Sequence, residues 1–265
     1  MDVIIFSGQS NMQGQSECLS ENAVVENAYE YKWLSNSMVK LKNPVGEDIT
    51  YAMEEGYAVT RETNLSQWLS DHVLGRACYG NTNLVPSFCR AYIKTTGHTV
   101  LAVHAAKGST RIQDWLPNSD GYRAIVSKSL SAIQKVKEQH NVDRILFVWL
   151  QGESDAVAGV SKNDYKTEMM NLASGLKTDL CIERFGVIRV GAFANDYRDD
   201  EIIAAQGEIC REDNFFAMLT ECATELNKDA LMMNPNVRGH YSARGLEYLG
   251  ERAGTTLGNL IVQGE

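Results

Sequence analysis

The chain has 265 residues, a formal net charge of -9 at pH 7 and a pI near 5.1. Nucleic acids and anionic membranes attract clusters of Lys and Arg, which this sequence lacks, so neither is an expected partner. A chain of this length can bury one large core, and no Pro/Gly/Ser-rich linker or block of charge divides it. We therefore expect one domain over residues 1–265.

The first residues of the sequence predict where in the cell the protein is located. Met1 is followed by Asp2 and then at once by an apolar strand, so the sequence contains neither a basic n-region nor a cleavable apolar segment. No later apolar run approaches the length needed to span a bilayer. This pattern predicts a cytoplasmic protein, or a secreted one if a leader has been removed.

The cysteines and histidines do not follow a metal-binding pattern. The six cysteines have no C-x-x-C spacing and are expected to stay reduced: Cys18, Cys78, Cys89, Cys181, Cys210 and Cys222. Cys89 and Cys181 lie within apolar patterns and are interpreted as small core residues. The five histidines are far apart in sequence: His72, His98, His104, His140 and His240. We predict no metal and no cofactor.

Hydrophobic periodicity predicts alternating strands and helices. The predicted strands are Val3–Phe6, Thr99–His104, Arg144–Leu150, Phe185–Gly191 and Phe215–Leu219. The predicted helices are Val85–Lys94, Tyr122–His140, Asp164–Lys177, Asp199–Cys210 and Leu246–Leu260. Between about Cys18 and Gly80 the pattern is poor, and a hairpin of Tyr29–Leu34 with Ser37–Leu41 competes with helix and loop. This alternation indicates an α/β fold, a three-layer α/β/α sandwich with a central parallel sheet.

The Tyr122–His140 helix has one apolar stripe. Ile125, Leu130, Ile133 and Val136 are predicted to face the core, with the lysines on the other face.

Polar segments follow three of the predicted strands. They contain Ser10, Gly108, and the pair Gln151 and Glu153. Because the carboxyl ends of parallel strands meet at one edge of a sheet, we expect these segments to lie together. His240 precedes the last helix and can supply a base. A serine hydroxyl needs such an imidazole to become a nucleophile, and donors must meet the oxyanion that forms when an ester carbonyl is attacked.

These segments resemble a known family. Gly8-Gln9-Ser10-Asn11-Met12 is similar to the first block of the SGNH hydrolases, in the branch of the acetylxylan esterases (carbohydrate esterase family 6) and sialate O-acetylesterases. The second, third and last blocks resemble Gly108-Ser109-Thr110-x-Ile112-x-x-Trp115, Gln151-Gly152-Glu153-Ser154-Asp155, and His240 followed by Gly245 and Leu249-Gly250. The blocks occur in the family's order across nearly the whole chain. The resemblance implies a flavodoxin-like, SGNH hydrolase fold.

The resemblance also implies residue roles. Ser10 would be the nucleophile and His240 the general base and then acid. The oxyanion hole would be the backbone amides of Ser10 and Gly108 with the side-chain amide of Gln151. The alternatives are that Gln151 supports packing and that His240 only begins a helix.

One departure from the family affects the third catalytic residue. The family commonly has Asp three residues before the catalytic His, and Val237 occupies that place here. A carboxylate there fixes the imidazole tautomer and stabilises the imidazolium, so another group must replace it or the site runs as a dyad. Glu153 is our candidate, with Asp155 and Asp229 as weaker ones. Alternatively, Glu153 only bonds nearby backbone amides.

The predicted function is a serine esterase that removes O-acetyl groups from an acetylated oligosaccharide, such as acetylxylan, through an acyl-enzyme. Gln9, Asn11, Arg111 and Arg238 are candidate substrate-binding residues. A sialate O-acetylesterase is the alternative enzyme, and a non-catalytic carbohydrate-binding member of the fold is the alternative of another class. His104 lies near the same sheet edge, as a support for the site or as a core residue.

Overall fold

The structure is a computed structural model that describes residues 1–16, 23–33, 35–46 and 82–264. Its strands are β1 (Asp2–Gly8), β2 (Ala28–Lys32), β3 (Ser37–Lys40), β4 (Val100–Ala106), β5 (Arg144–Leu150), β6 (Arg184–Ile188) and β7 (Phe216–Thr220). They form one seven-stranded sheet in the order β3-β2-β4-β1-β5-β6-β7. All are parallel except β3, which pairs antiparallel with β2 at one edge.

Helices cover both faces of this sheet. They are α1 (Ser10–Gln13), α2 (Val85–Thr96), α3 (Asp120–Lys137), α4 (Glu153–Ala158), α5 (Lys162–Leu180), α6 (Tyr197–Glu212), α7 (Ala223–Leu226) and α8 (Ala243–Gln263), with a 3-10 helix at Ile112–Trp115. The predicted three-layer sandwich is confirmed, and β3 makes its sheet mixed at one edge. The predicted hairpin is present as β2 and β3, with Leu34 outside the described residues.

Strand β1 lies at the centre and aligns the segments that follow its neighbours. Its seven residues are all buried between β4 and β5. Gly8, the last residue of β1, pairs with Ala106 of β4 and Leu150 of β5. The three strands therefore end at the same level, and the polar segments that follow them begin side by side.

The predicted apolar stripe of α3 is wrong in two residues. Leu130 is 48% exposed, whereas Lys128 is fully buried. At about 100° per residue, Leu130 lies about 120° around the helix from Val136. Two small residues, Ser129 and Ala132, complete the buried face instead. The prediction is wrong because it is based on large apolar residues, whereas small residues also form part of the buried face.

The cysteines differ in environment. Cys89 is buried in the core, as predicted, but Cys181 is exposed, because it caps the end of α5 in a left-handed conformation with φ 56°. Its predicted place in the core is wrong. Cys18, Cys78 and His72 lie outside the described residues. None of the described helices is long and apolar enough to cross a membrane. The single-domain organisation and the location stay predictions.

Candidate active site

Ser10 is the first residue of α1, directly beyond the end of β1. It is buried at the base of a shallow turn that Gly14 closes in a left-handed conformation. The N–H groups of a helix's first turn have no acceptor within the helix, so the Ser10 amide is available to a ligand.

Gly108 lies against Ser10. A Cβ added at Gly108 would lie 3.4 Å from the Ser10 Cβ and 3.0 Å from the Gln13 Oε1. The loop after β4 therefore packs directly against the segment that contains Ser10. The Gly108 N–H donates a hydrogen bond to the Gln13 Oε1 at 2.8 Å. The structure thus brings two predicted oxyanion residues together, with a side-chain oxygen already bound to one of them.

His240 lies in the segment between α7 and α8, and two hydrogen bonds attach this segment to the residues that follow Ser10. The backbone N–H of Tyr241, the next residue, donates to the Asn11 Oδ1 at 3.2 Å. Asn234 Nδ2 donates to the backbone oxygen of Gln15, also at 3.2 Å. The residues that follow Ser10 and His240 are therefore in direct contact, although 230 positions separate them.

The two ring nitrogens of His240 have different environments. Nδ1 lies 2.9 Å from the backbone oxygen of Arg238. A carbonyl oxygen only accepts, so Nδ1 carries the proton and Nε2 keeps its lone pair. Nε2 is buried and has no hydrogen-bond partner among the described residues. Burial lowers the pKa of His240, and the Arg238 carbonyl opposes this shift. These contacts give the imidazole the tautomer that a general base requires, and burial favours its neutral form.

Phe193 forms one wall beside this imidazole. The two ring centroids are 6.2 Å apart, with the ring planes nearly perpendicular. Gly239 has φ 77°, and a Cβ added there would lie 2.1 Å from Phe193 Cε2. The Asp199 carboxylate accepts hydrogen bonds from the backbone N–H groups of residues 193, 194 and 195. The wall is therefore held rigidly in place.

Glu153 is the first residue of α4 and is almost completely buried. Its Oε1 accepts a hydrogen bond from Asn11 Nδ2 at 2.8 Å, and its Oε2 has no hydrogen-bond partner among the described residues. Burial raises its pKa, and hydrogen bonds from Asn11 and the local backbone oppose this. Glu153 and His240 are not hydrogen-bonded to each other. Asn11 bridges the two segments, and the role of Glu153 as orienting acid stays a prediction.

Gln151 is fully buried in a network that joins the loops after β4 and β5. Its Nε2 donates to the Thr110 backbone oxygen at 2.9 Å, to Gln9 Oε1 at 3.2 Å and to the Asp155 carboxylate. Asp155 also accepts from the Ile112 N–H at 3.1 Å. Burial raises the pKa of Asp155 to about 6. These contacts show the network as a support, and the part of Gln151 in the oxyanion hole stays a prediction.

Gln9 and Asn11 both connect segments of the backbone. Gln9 Oε1 accepts from the N–H groups of Gly152 and Ser154 at 3.3 and 3.2 Å. Both residues are buried, so a contact with substrate stays a prediction for each. His104 is fully buried, and its Nε2 lies 2.9 Å from the Met12 backbone oxygen. It supports α1 from the core side.

The remaining candidates lie further out. Arg238 is exposed and Arg111 is half-buried. Burial raises the pKa of Glu168, and the charge of Arg111 opposes this, as it does at Asp155. Asp229 is exposed and accepts from the Leu231 N–H at 2.9 Å. Within the described ranges, no group of three or more His, Cys, Asp or Glu side chains is placed to hold a metal ion.

A family model described as "Carbohydrate esterase, sialic acid-specific acetylesterase" matches residues 1–257. The chain belongs to this family. It is therefore a carboxylic ester hydrolase, and its family removes O-acetyl groups from carbohydrates. The resemblance to the SGNH hydrolases that the sequence blocks indicate is confirmed. No curated protein matches the sequence.

Several solved structures are similar in fold to this member of the acetylesterase family. A protein from Arabidopsis thaliana is 18% identical, with a TM-score of 0.67, over 97% of this chain and 98% of its own. NanS is 14% identical, with a TM-score of 0.70, over 100% of this chain and 98% of its own. A carbohydrate acetylesterase from Xanthomonas citri is 11% identical, with a TM-score of 0.58, over 100% of this chain and 57% of its own.

The acetylesterase site contains residues that the sequence patterns missed. Gln13 and Phe193 both contact predicted site residues, and the Arg238 carbonyl partners the imidazole. A signal existed for Phe193, because it follows β6 at the same sheet edge as the other segments. Residue type alone predicts neither the contact of Gln13 with Gly108 nor the hydrogen bond between the Arg238 carbonyl and His240.

Proposed function

We propose that this esterase is a serine O-acetylesterase that works through an acetyl-enzyme. Ser10 Oγ attacks the acetyl carbonyl carbon while His240 Nε2 takes its proton. The tetrahedral intermediate collapses, the bond to the sugar oxygen breaks, and the imidazolium returns the proton to that oxygen. Water, deprotonated by His240, then attacks the acetyl carbon. The bond to Ser10 Oγ breaks, the imidazolium returns its proton to Oγ, and acetic acid leaves and ionises to acetate.

The observation that carries this proposal is the state of His240. A buried imidazole with its Nδ1 proton bound to a carbonyl, and its Nε2 without a partner, has the tautomer that a general base needs. The Ser10 segment lies next to it through the Asn11–Tyr241 hydrogen bond. Free enzymes often lack a short nucleophile–base contact, which tightens when substrate binds.

In this proposal, two groups together replace the Asp that orients the catalytic His and stabilises its charged form in the family. The Arg238 carbonyl fixes the tautomer, which in other serine hydrolases an Asp does. Glu153, held by Asn11, supplies negative charge near the segment that carries the imidazolium. The Ser10 and Gly108 amides, with Gln151 as a predicted third donor, stabilise the oxyanion.

We infer an uncharged acetylated oligosaccharide, such as one from xylan, as substrate. The charge of Arg111 acts on Asp155 and Glu168, so it already has carboxylate neighbours in the protein. With a net charge of -9, the protein also provides no general attraction for an anionic sugar.

A sialate O-acetylesterase is the second candidate, because Arg238 favours it. This residue is exposed and lies two positions before His240, and a guanidinium can bind a carboxylate with two hydrogen bonds. The description of the matched family also names sialic acid.

Acetate release from acetylated xylo-oligosaccharides and from O-acetylated sialic acid decides between the two. We expect the higher kcat/KM for the neutral substrate, and no change in this preference in Arg238→Ala. The order of the two candidates is reversed if kcat/KM is higher for the sialate, and if Arg238→Ala erases that preference without changing the hydrolysis of an uncharged acetyl ester.

A burst of 4-nitrophenol from 4-nitrophenyl acetate tests the acetyl-enzyme. Sugar binding without any turnover would support the non-catalytic alternative.

A further inference from the structure

The Gly108 N–H is already bound in the free protein. Its hydrogen-bond partner is Gln13 Oε1, at 2.8 Å. Gln15 Nε2 also donates to this oxygen, at 3.2 Å. Gln13 is buried, in the same short helix as Ser10, and a Cβ at Gly108 would contact both residues. An amide oxygen thus occupies a donor beside the nucleophile.

This oxygen resembles the group that substrate brings. An ester carbonyl and a side-chain amide both present an sp² oxygen that accepts along the same directions. The Gly108 N–H has one hydrogen, so it serves one acceptor well at a time. A substrate oxygen that uses this donor must therefore displace the Gln13 side chain.

We propose that Gln13 acts as an internal competitor for the oxyanion hole, a role that rests on the proposed function of Ser10 and Gly108. In the resting enzyme its amide oxygen occupies the place of the substrate's carbonyl oxygen at Gly108. On binding, the ester displaces it, and the oxyanion then forms the stronger bond because it carries charge. Gln13 thereby lowers the reactivity of the site toward esters that bind weakly.

A matched pair of substitutions separates competition from simple support of the Gly108 loop. Gln13→Met keeps the volume and removes the acceptor, whereas Gln13→Glu keeps the acceptor and gives it charge. Competition predicts that Gln13→Met raises kcat/KM for 4-nitrophenyl acetate by about 2- to 10-fold, the size of one net hydrogen bond. It predicts that Gln13→Glu lowers kcat/KM about tenfold or more, because a charge-assisted bond is harder to displace.

Support of the loop predicts the reverse. Gln13→Met would then be slower than the wild type and Gln13→Glu close to it, and this result overturns the proposal. Thermal melting of each variant checks that the fold is intact.

A second measurement needs no variant. A 4-nitrophenyl alkylphosphonate loses nitrophenolate and forms a P–O bond to Ser10 Oγ, which leaves a phosphoryl oxygen for the oxyanion donors. We expect the NMR resonances of the Gln13 side-chain amide to shift in this adduct, and unchanged resonances overturn the proposal. If the wild type neither hydrolyses the ester nor reacts with the phosphonate, the proposed function fails and takes this inference with it. If the wild type hydrolyses the ester and Gln13→Met hydrolyses it more slowly, the inference about Gln13 is overturned and the proposed function is not.

Discussion

Two clusters of buried polar residues lie side by side at the carboxyl edge of the sheet, and they differ in how completely their hydrogen bonds are formed. In the locked cluster, Gln9, Gln151 and Asp155 bind one another and the backbone of the loop after β4. In the reactive cluster, Ser10, Asn11, Glu153 and His240 leave Glu153 Oε2 and His240 Nε2 without partners among the described residues.

This difference separates support from chemistry. Buried polar atoms without partners cost free energy, and in the reactive cluster a bound substrate can supply those partners. The locked cluster satisfies its own groups and fixes the positions of the loops. In the mechanism that we propose, the reactive cluster keeps an imidazole lone pair for the Ser10 proton. Substitutions in the two clusters should therefore act on different properties, stability in the first and turnover in the second.

The largest expected effect is that of Ser10→Ala in the reactive cluster. Removing the nucleophile should lower kcat by about three orders of magnitude or more, because serine and histidine act as a unit. The free energy of unfolding should change little, since the hydroxyl forms no side-chain hydrogen bond with the described residues. Ester hydrolysis and urea unfolding measure the two quantities, and retention of most of the activity contradicts the assignment of the nucleophile.

A smaller loss is expected for Glu153→Gln. The amide oxygen of the variant can still accept from Asn11, but the carboxylate that Asn11 connects to the His240 segment is lost, so we expect kcat to fall by about 10²-fold, the low end of general acid–base effects. Asp155→Asn is the matched control in the locked cluster and should lower kcat much less. If Glu153→Gln turns over at the wild-type rate, the Arg238 carbonyl alone orients the imidazole and the site is a dyad.

Gln151→Leu tests the locked cluster itself. The substitution leaves the Thr110 carbonyl and the Asp155 carboxylate short of a donor in a buried place, so the free energy of unfolding should fall by about 1–3 kcal/mol. Urea unfolding measures this loss. A fall in kcat of about 10² or more in the folded variant, in addition to the loss of stability, would support the predicted role of Gln151 as a donor of the oxyanion hole. A stability that does not change would contradict its role in the locked cluster.

The parts of the site that the sequence predicted are those that strand ends determine. The positions of Ser10 and Gly108 follow from the ends of β1 and β4, and a short apolar run followed by small polar residues marks such an end. The partner of His240 has no such signal, because any residue has a carbonyl and only the turn at Gly239 brings that of Arg238 to Nδ1. Leu130 shows the same limit in the core, where neighbours outside the helix decide which face is buried.

The smallest expected effect concerns pH, and it tests whether the reactive cluster depends on a buried neutral imidazole. Burial disfavours the charged form and lowers the pKa of His240 below its ordinary value of about 6.5. Only the neutral form accepts the Ser10 proton, so kcat/KM should be constant near neutral pH and fall as pH drops through a midpoint below 6.5. The pH dependence of kcat/KM reports the free enzyme, which is the state of this structure. Burial raises the pKa of Asp155 in the neighbouring cluster to about 6, so its titration is the one to separate from that of His240. Asp155→Asn should therefore leave the midpoint unchanged, and a midpoint that disappears in this variant or lies above 6.5 contradicts the assignment of His240 as the base.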